Sequence, residues 1–217
     1  MTVRLSFDSQ LNTVKQRILE MGRQVEGVLL TVIDSWNSTN TAMMEKVITE
    51  DYKINQLELH MHDQVTLIIS KQQPVATDLR KLIVALKISS DLERVADLAV
   101  DMAKQAKRMN SNAHLTYQDH IVTMFGMAQV MVNQALEAYE KTDLLMAQKI
   151  ATMDDKVDHL YGEFIRELFS NKDLNMEVDQ VTQLAFIGRY IERIADYATN
   201  IAEWVVYEVN GKHFDLN

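Results

Sequence analysis

SSDLERVADLAVDMA at 89–103 and GRYIERIADYATNIAE at 188–203 are one helical segment written twice. Glu93, Asp97 and Asp101 stand four apart in the first copy, and Glu192, Asp196 and Asn200 repeat the spacing ninety-nine positions on (192 − 93 = 99). On an α-helix a step of four turns a side chain by only about 40° and advances it about 6 Å, so each trio forms an oxygen-rich strip about 12 Å long. Duplication explains the shared pattern E-R-[VI]-A-D-x-A better than chance, and it predicts two homologous helical units.

The rest of the chain reads as helix on both sides of these strips. Gly 6 and Pro 1 in 217 residues are far below the usual ~7% and ~5%, and so few breakers point to long uninterrupted helices. Phe7, Leu11, Val14, Ile18, Met21, Val25, Val28 and Val32 keep alternating steps of 4 and 3, a sustained heptad stripe for a first helix. SWNSTNT ends it, and Asn40 and Thr41 are N-cap candidates for a second helix running to Gln73, before Pro74. A third helix is expected over 78–109, with NSNAHL at 110–115 as a polar break. The order then recurs: a helix over 117–141 with the capping pattern Thr116 to Asp119, one over 143–171 and one over 175–210. Gly22 maps to Gly126, Asp51 to Asp154 and Glu93 to Glu192, so the register drifts only by short indels in the turns. The expected fold is all-α: six long helices forming two tandem three-helix bundles, residues 1–111 and 112–217, packed against each other because the connection is short.

Composition narrows the function. With Cys 0 there are no disulfides, thiolate zinc sites or cysteine nucleophiles, which fits a reducing compartment and a cytoplasmic location. The N-terminal MTVRLSFDSQLNTV has no apolar signal core, and no stretch approaches the roughly 18 apolar residues of a membrane span, so neither export by such a signal nor membrane insertion is expected. A net charge of −9 argues against nucleic acid, whose phosphates require a basic footprint. No Walker loop, dinucleotide-binding glycine fingerprint or G-x-S-x-G elbow occurs.

The acids carry the chemistry. On the second-helix stripe Met44, Val47, Ile54, Met61, Val65 and Ile68, Asp51 and Glu58 interrupt an apolar seam. Its counterpart Ala147, Ile150, Val157, Tyr161, Phe164 and Leu168 is interrupted by Asp154, with Tyr161 in place of Glu58. A carboxylate on a core-facing stripe must be solvated, paired or metal-bound, since burying it alone costs several kcal/mol. The bland alternative is a charged helix face with i,i+3 pairs Arg94–Asp97, Asp101–Lys104, Arg189–Glu192 and Arg193–Asp196, each contributing about 0.2 to 0.5 kcal/mol. Solvated pairs do not require the same acids at the same place in both copies, and acids at i,i+4 repel unless something cationic neutralises them. Oxygen donors from Asp, Glu and Asn suit magnesium, calcium, manganese or ferric iron. No Glu stands three residues before a histidine, so the signature of di-iron bundles is absent; the histidines read as surface or turn residues. The 13 Met residues read as core.

QQPVATDLRKL at 72–82, followed by ISSDLERVADLA at 88–99, resembles the hallmark segment of the PhoU family, and RYIERIADYATNIAEW at 189–204 resembles its second copy. FDSQLNTVKQRILEMGRQVEGVL at 7–29 is similar to the family's first helix, and EDYKIN at 50–55 and MDDKVD at 153–158 to its second-helix segments. The resemblance implies a cytoplasmic, non-enzymatic negative regulator of the phosphate-starvation response and of high-affinity phosphate uptake. Its implied partners are the ATPase subunit of a phosphate ABC transporter and a phosphate-responsive sensor histidine kinase. Its metal motifs fall on Glu93, Asp97 and Asp101, on Glu192, Asp196 and Asn200, and on Asp51 and Asp154, with iron, zinc, manganese or magnesium as the implied ions. A homodimer is expected. Two departures stand out: Asn200 replaces the carboxylate of Asp101, and the second half has no QPVATDLR counterpart. Two readings from other classes stay open, a multinuclear metal-dependent hydrolase and a purely structural helical scaffold.

Overall fold

Few glycines and one proline leave little to interrupt a helix, and helix occupies nearly all of residues 2–170, 176–214 and 216, which the computed structural model describes. In chain order the helices are α1 (Thr2–Ser38), α2 (Thr41–Glu50), α3 (Tyr52–Gln72), α4 (Ala76–Ala106), α5 (Ser111–Thr116), α6 (Gln118–Lys141), α7 (Leu144–Ser170) and α8 (Val178–Asn210). Six are long, because α2 and α3 together make the second long helix; they form two three-helix units, α1 to α4 and α6 to α8. Among the described residues no helix is long and apolar enough to cross a membrane.

The helix ends follow local chemistry. Asn40 caps α2 as expected, its Oδ1 accepting from the Ala42 and Met43 N–H groups at 3.1 and 3.2 Å. Asp143 does the same for α7, accepting from Leu145 and Met146 at 3.0 Å each. Asn40→Ala should lower stability by about 0.5 to 2 kcal/mol, the usual effect of losing such a cap, and thermal unfolding checks it. Gln73, directly before Pro74, takes a left-handed conformation (φ 47°) and ends α3.

Several details differ from the sequence reading. The second long helix is not one unbroken ladder: Asp51 keeps right-handed dihedrals, but the Ile54 N–H bonds to its carbonyl at 3.0 Å, an i→i+3 contact that separates α2 from α3. α7 passes Asp154 without such a break. NSNAHL is not simply a break; it contains α5, capped by Asn110, whose Oδ1 accepts from Ala113 at 2.9 Å. The residue preceding α6 is Tyr117 rather than Thr116, and its buried ring meets Phe164 edge-on at 5.6 Å. α4 begins at Ala76 and ends at Ala106, a few residues earlier at each end than expected. The expected end of the fifth long helix at Asn171 and the expected start of the sixth at Asn175 lie outside the described residues.

The two units pack through a seam between α4 and α8. Arg80 lies over Tyr207, Lys87 over Trp204 and Arg94 over Tyr197, with cation-to-centroid distances of 5.8, 5.6 and 5.7 Å, so the two helices run antiparallel. The Trp204 Nε1–H donates to Asp91 at 3.0 Å, and burial pushes the Asp91 carboxyl up to about 6. Arg80, the last residue of QPVATDLR, donates to the Glu208 carbonyl at 3.2 Å. It crowds Gly211, where a Cβ would stand 2.6 Å from its Nη1 and φ is +71°. A cation at the C-terminus of α8 satisfies a free carbonyl and opposes the helix dipole, which gives this first-half residue a structural task in the second half.

Candidate metal centre

Both acidic strips face the second long helix of their own unit. In the second copy Asp158 from α7 joins Glu192 and Asp196 from α8, one carboxylate oxygen from each lying within 4.8 Å of the others. Asp154 sits one turn before Asp158, only 4% exposed. Asn200 is half-buried one turn beyond Asp196.

The electrostatics follow from this convergence. Burial pushes Glu192 up to about 7, the Asp196 charge adding to the effect and Arg189 opposing it. Burial likewise pushes Asp154 up to about 6, helped by Asp196 and then Asp158. Asp196 is raised by burial and by Asp158. In the first copy Asp97 is raised by burial, then by Asp51 and Asp101. Glu93 is raised by burial, Asp97 and Glu58. Asp51 is raised by burial, with the nearby Lys104 opposing. The structure thus brings Glu93, Asp97, Asp101 and Asp51 into one neighbourhood, and Glu192, Asp196 and Asp154 into another.

The ion pairs only partly match the charged-face alternative. Asp101 takes Lys104 at 2.8 Å and Glu192 takes Arg189. Arg94 instead reaches Asp91 at 3.5 Å, and Arg193 donates to the Tyr197 hydroxyl at 3.0 Å. The central acids Asp97 and Asp196 therefore have no salt bridge among the described residues.

The copies are unequal. The first brings no three carboxylate oxygens as close as those of Asp158, Glu192 and Asp196 among the described residues. Lys104 engages Asp101, whereas ninety-nine positions on (104 + 99 = 203) stands Glu203. Glu58 is held by the Ser90 hydroxyl and by His62, each at 2.9 Å.

Asp158 is not among the site residues expected from the sequence, although it closes the MDDKVD segment and its signal was present: it follows Asp154 by four, the spacing that defines the strips. Its first-copy counterpart is Asn55, so the second-helix acids did not read as a repeated pair.

These residues fit a hard cation. Glu192 Oε2 is buried without a hydrogen-bond partner, and Asp51 Oδ1 and Asp154 Oδ1 are buried outside good hydrogen-bond geometry, with the Asn55 and Thr199 side chains beside the two aspartates. A buried carboxylate oxygen without a partner is costly, and a cation would satisfy it. Asp154, Asp158, Glu192 and Asp196 would hold the ion in the second copy, and Asp51, Glu93, Asp97 and Asp101 in the first. The ion would supply positive charge and fixed coordination to two facing helices.

Comparison with known proteins adds an independent line. The family model described as PhoU domain matches residues 18–106 and again 121–205. The chain is 34% identical to the phosphate-specific transport system accessory protein PhoU homolog of Clostridium acetobutylicum, over 97% of both chains. It is 29% identical to the phosphate-specific transport system accessory protein PhoU of Escherichia coli, over 96% of this chain and 87% of that one. Among solved structures, the phosphate transport system regulatory protein PhoU from Streptococcus pneumoniae superposes with a TM-score of 0.89 at 26% identity, covering 96% of this chain and 99% of that one. PhoU from Pseudomonas aeruginosa gives 0.87 at 29% identity, covering 95% and 100%.

Proposed function

The chain belongs to the PhoU family, and from that membership we propose that it is a cytoplasmic accessory regulator of a phosphate-specific transport system, built as two repeats, 1–111 and 112–217. It represses high-affinity uptake and the phosphate-starvation response by docking on the transporter's ATPase subunit and on a sensor histidine kinase. Cations on the two strips set the charge of the docking faces. The observation that carries the metal reading is the meeting of Asp158, Glu192 and Asp196 within 4.8 Å beside the buried Asp154. The carboxylates of one neighbourhood present a more negative face when bare than when a cation sits among them, and such a change alters both encounter rate and partner choice. Similarity over 97% and 87% of the length of two relatives named as phosphate-specific transport system accessory proteins supports the regulatory reading.

Co-purification tests it. An affinity-tagged transporter ATPase should retain the native chain, and retention should fall at least about tenfold after chelation or in the Asp97→Ala, Asp196→Ala double variant. Equal retention in all three would overturn the role of the strips. No retention of the native chain would overturn docking on the ATPase.

A further inference from the structure

Away from both strips, the ends of α1, α4, α6 and α8 enclose a cavity of about 190 Å³ whose polar lining is Asn12, Lys15, Lys81, Tyr139, Thr142 and Glu208. This is smaller than the roughly 300–1,000 Å³ of sites for drug-sized molecules, so its size suits a small ion. Asn12 and the two lysines come from the first unit, and Tyr139, Thr142 and Glu208 from the second, so the cavity exists only where the units meet.

Its charges are not used up internally. Lys15 is half-buried with its ammonium 5.3 Å from the centroid of the Tyr139 ring. Among the described residues neither Lys15 nor Glu208 forms a salt bridge, and the ion pair of Lys81 is a loose one with Asp78 at 3.8 Å. Two ammonium groups face one carboxylate across the cavity, and the Arg80 guanidinium stands next to it on the Glu208 carbonyl, so cations outnumber anions there even with Asp78 beside Lys81. Tyr139 is 4% exposed, and burial together with the Glu208 charge raises its phenol, which stays protonated and able to donate. The lining therefore offers several donors and one carboxylate acceptor.

We propose that this cavity binds a small protonated oxyanion of the hydrogen-phosphate type, with Lys15, Lys81 and the Tyr139 and Thr142 hydroxyls donating to its oxygens and Glu208 accepting its proton. The acceptor decides between anions. Hydrogen phosphate carries an O–H that a carboxylate can accept, whereas sulfate at neutral pH carries none and would meet Glu208 lone pair to lone pair. The inference goes beyond the regulatory reading and does not depend on it.

Calorimetric titration of the full chain tests it, after chelation so that phosphate bridged to a cation on the strips makes no contribution. At pH 7.5 inorganic phosphate should bind saturably with one site per chain, and sulfate about tenfold more weakly or less. Lys15→Met and Lys81→Met should each weaken phosphate binding about tenfold, as expected for losing a charge-assisted hydrogen bond. Glu208→Gln should bring sulfate to within about threefold of phosphate, because a neutral amide no longer repels it. Thermal unfolding without anion checks that each variant is folded; the two lysine variants serve as alternatives if one is not. No saturable binding of phosphate by the native chain, unchanged affinity in a folded lysine variant, or sulfate binding as tight as phosphate would overturn the proposal. ATPase co-purification would be unaffected by any of these results, so the two readings fail separately.

Discussion

Protein purified without chelator or affinity tag should contain several equivalents of iron, manganese, zinc or magnesium per chain, and the Asp97→Ala, Asp196→Ala double variant only a small fraction of that. Mass spectrometry of metal content reads both. Asp97 and Asp196 are the central acids of their strips and lack a salt bridge among the described residues, so truncating them removes donors without stranding a partner. No bound metal in either protein would return the strips to solvated or partner-facing surfaces. Chelated native protein adds a pH signature. Glu192 moves from 4.5 to about 7 on folding and Asp154 from 3.8 to about 6. The folded state therefore binds more protons than the unfolded one, and stability falls as pH rises. The cost is absent below about pH 4, grows between the unfolded and folded values, and is complete about a unit above pH 7. The melting temperature of chelated protein should accordingly drop from pH 5 to pH 7.5, and added cation should restore it at pH 7.5. An Asp154→Asn, Glu192→Gln variant should show a shallower drop; an identical slope would show that these two carboxyls are not its source.

Phe164→Ala should destabilise the chain by about 3 to 5 kcal/mol, the usual range for emptying a fully buried phenylalanine site. Phe164 on α7 is 0% exposed, lies edge-on to the buried Tyr117, and presses on α8 where Gly188 leaves room for it. A Cβ at Gly188 would stand 2.7 Å from Phe164 Cε1. Gly188→Ala alone gains up to about 1 kcal/mol of helix propensity but loses about 1 to 3 kcal/mol to overpacking, so it should destabilise. In the Phe164→Ala background the same methyl enters empty space, and the double variant should be more stable than the sum of the single effects. Denaturant unfolding of the four proteins measures the coupling; strict additivity would mean that the two positions do not share this space.

The helices were legible because period and breaker scarcity act over dozens of residues. The unbroken stripe of α1 and the Gly22–Gly126 register are signals of that kind, and the Asn40 cap is a local one with its own side-chain chemistry. α5 was not legible: six residues are too few to show a period, and so short a helix owes its existence to Asn110 and to packing rather than to its own propensity. The separation of α2 from α3 escaped for another reason, since Asp51 retains helical dihedrals and only the hydrogen-bond pattern changes. At the site, the residue spacing identified the strips and the two facing aspartates. It did not identify Asp158, whose partner across the repeat is an asparagine, nor that Arg94 would take Asp91 and Arg193 the Tyr197 hydroxyl, although the Arg189–Glu192 pair forms as expected. Arg94 turns to Asp91 because that carboxylate is anchored at the seam by Trp204, a contact between residues 113 positions apart that no local pattern encodes.

The antiparallel seam means that α4 and α8 each carry an acidic strip and a share of the contact between units. An ion on Glu93 and Asp97 that shifted α4 would therefore press on α8 through Asp91–Trp204 and Arg94–Tyr197. Thermodynamic linkage makes such an effect reciprocal, so whatever occupancy of one strip does to the affinity of the other, the second does equally to the first. Because the strips differ in charge and in the presence of Lys104, they would fill in sequence. The chain would then respond to cation supply in two steps, spaced by the difference between the strips and by whatever coupling the seam transmits.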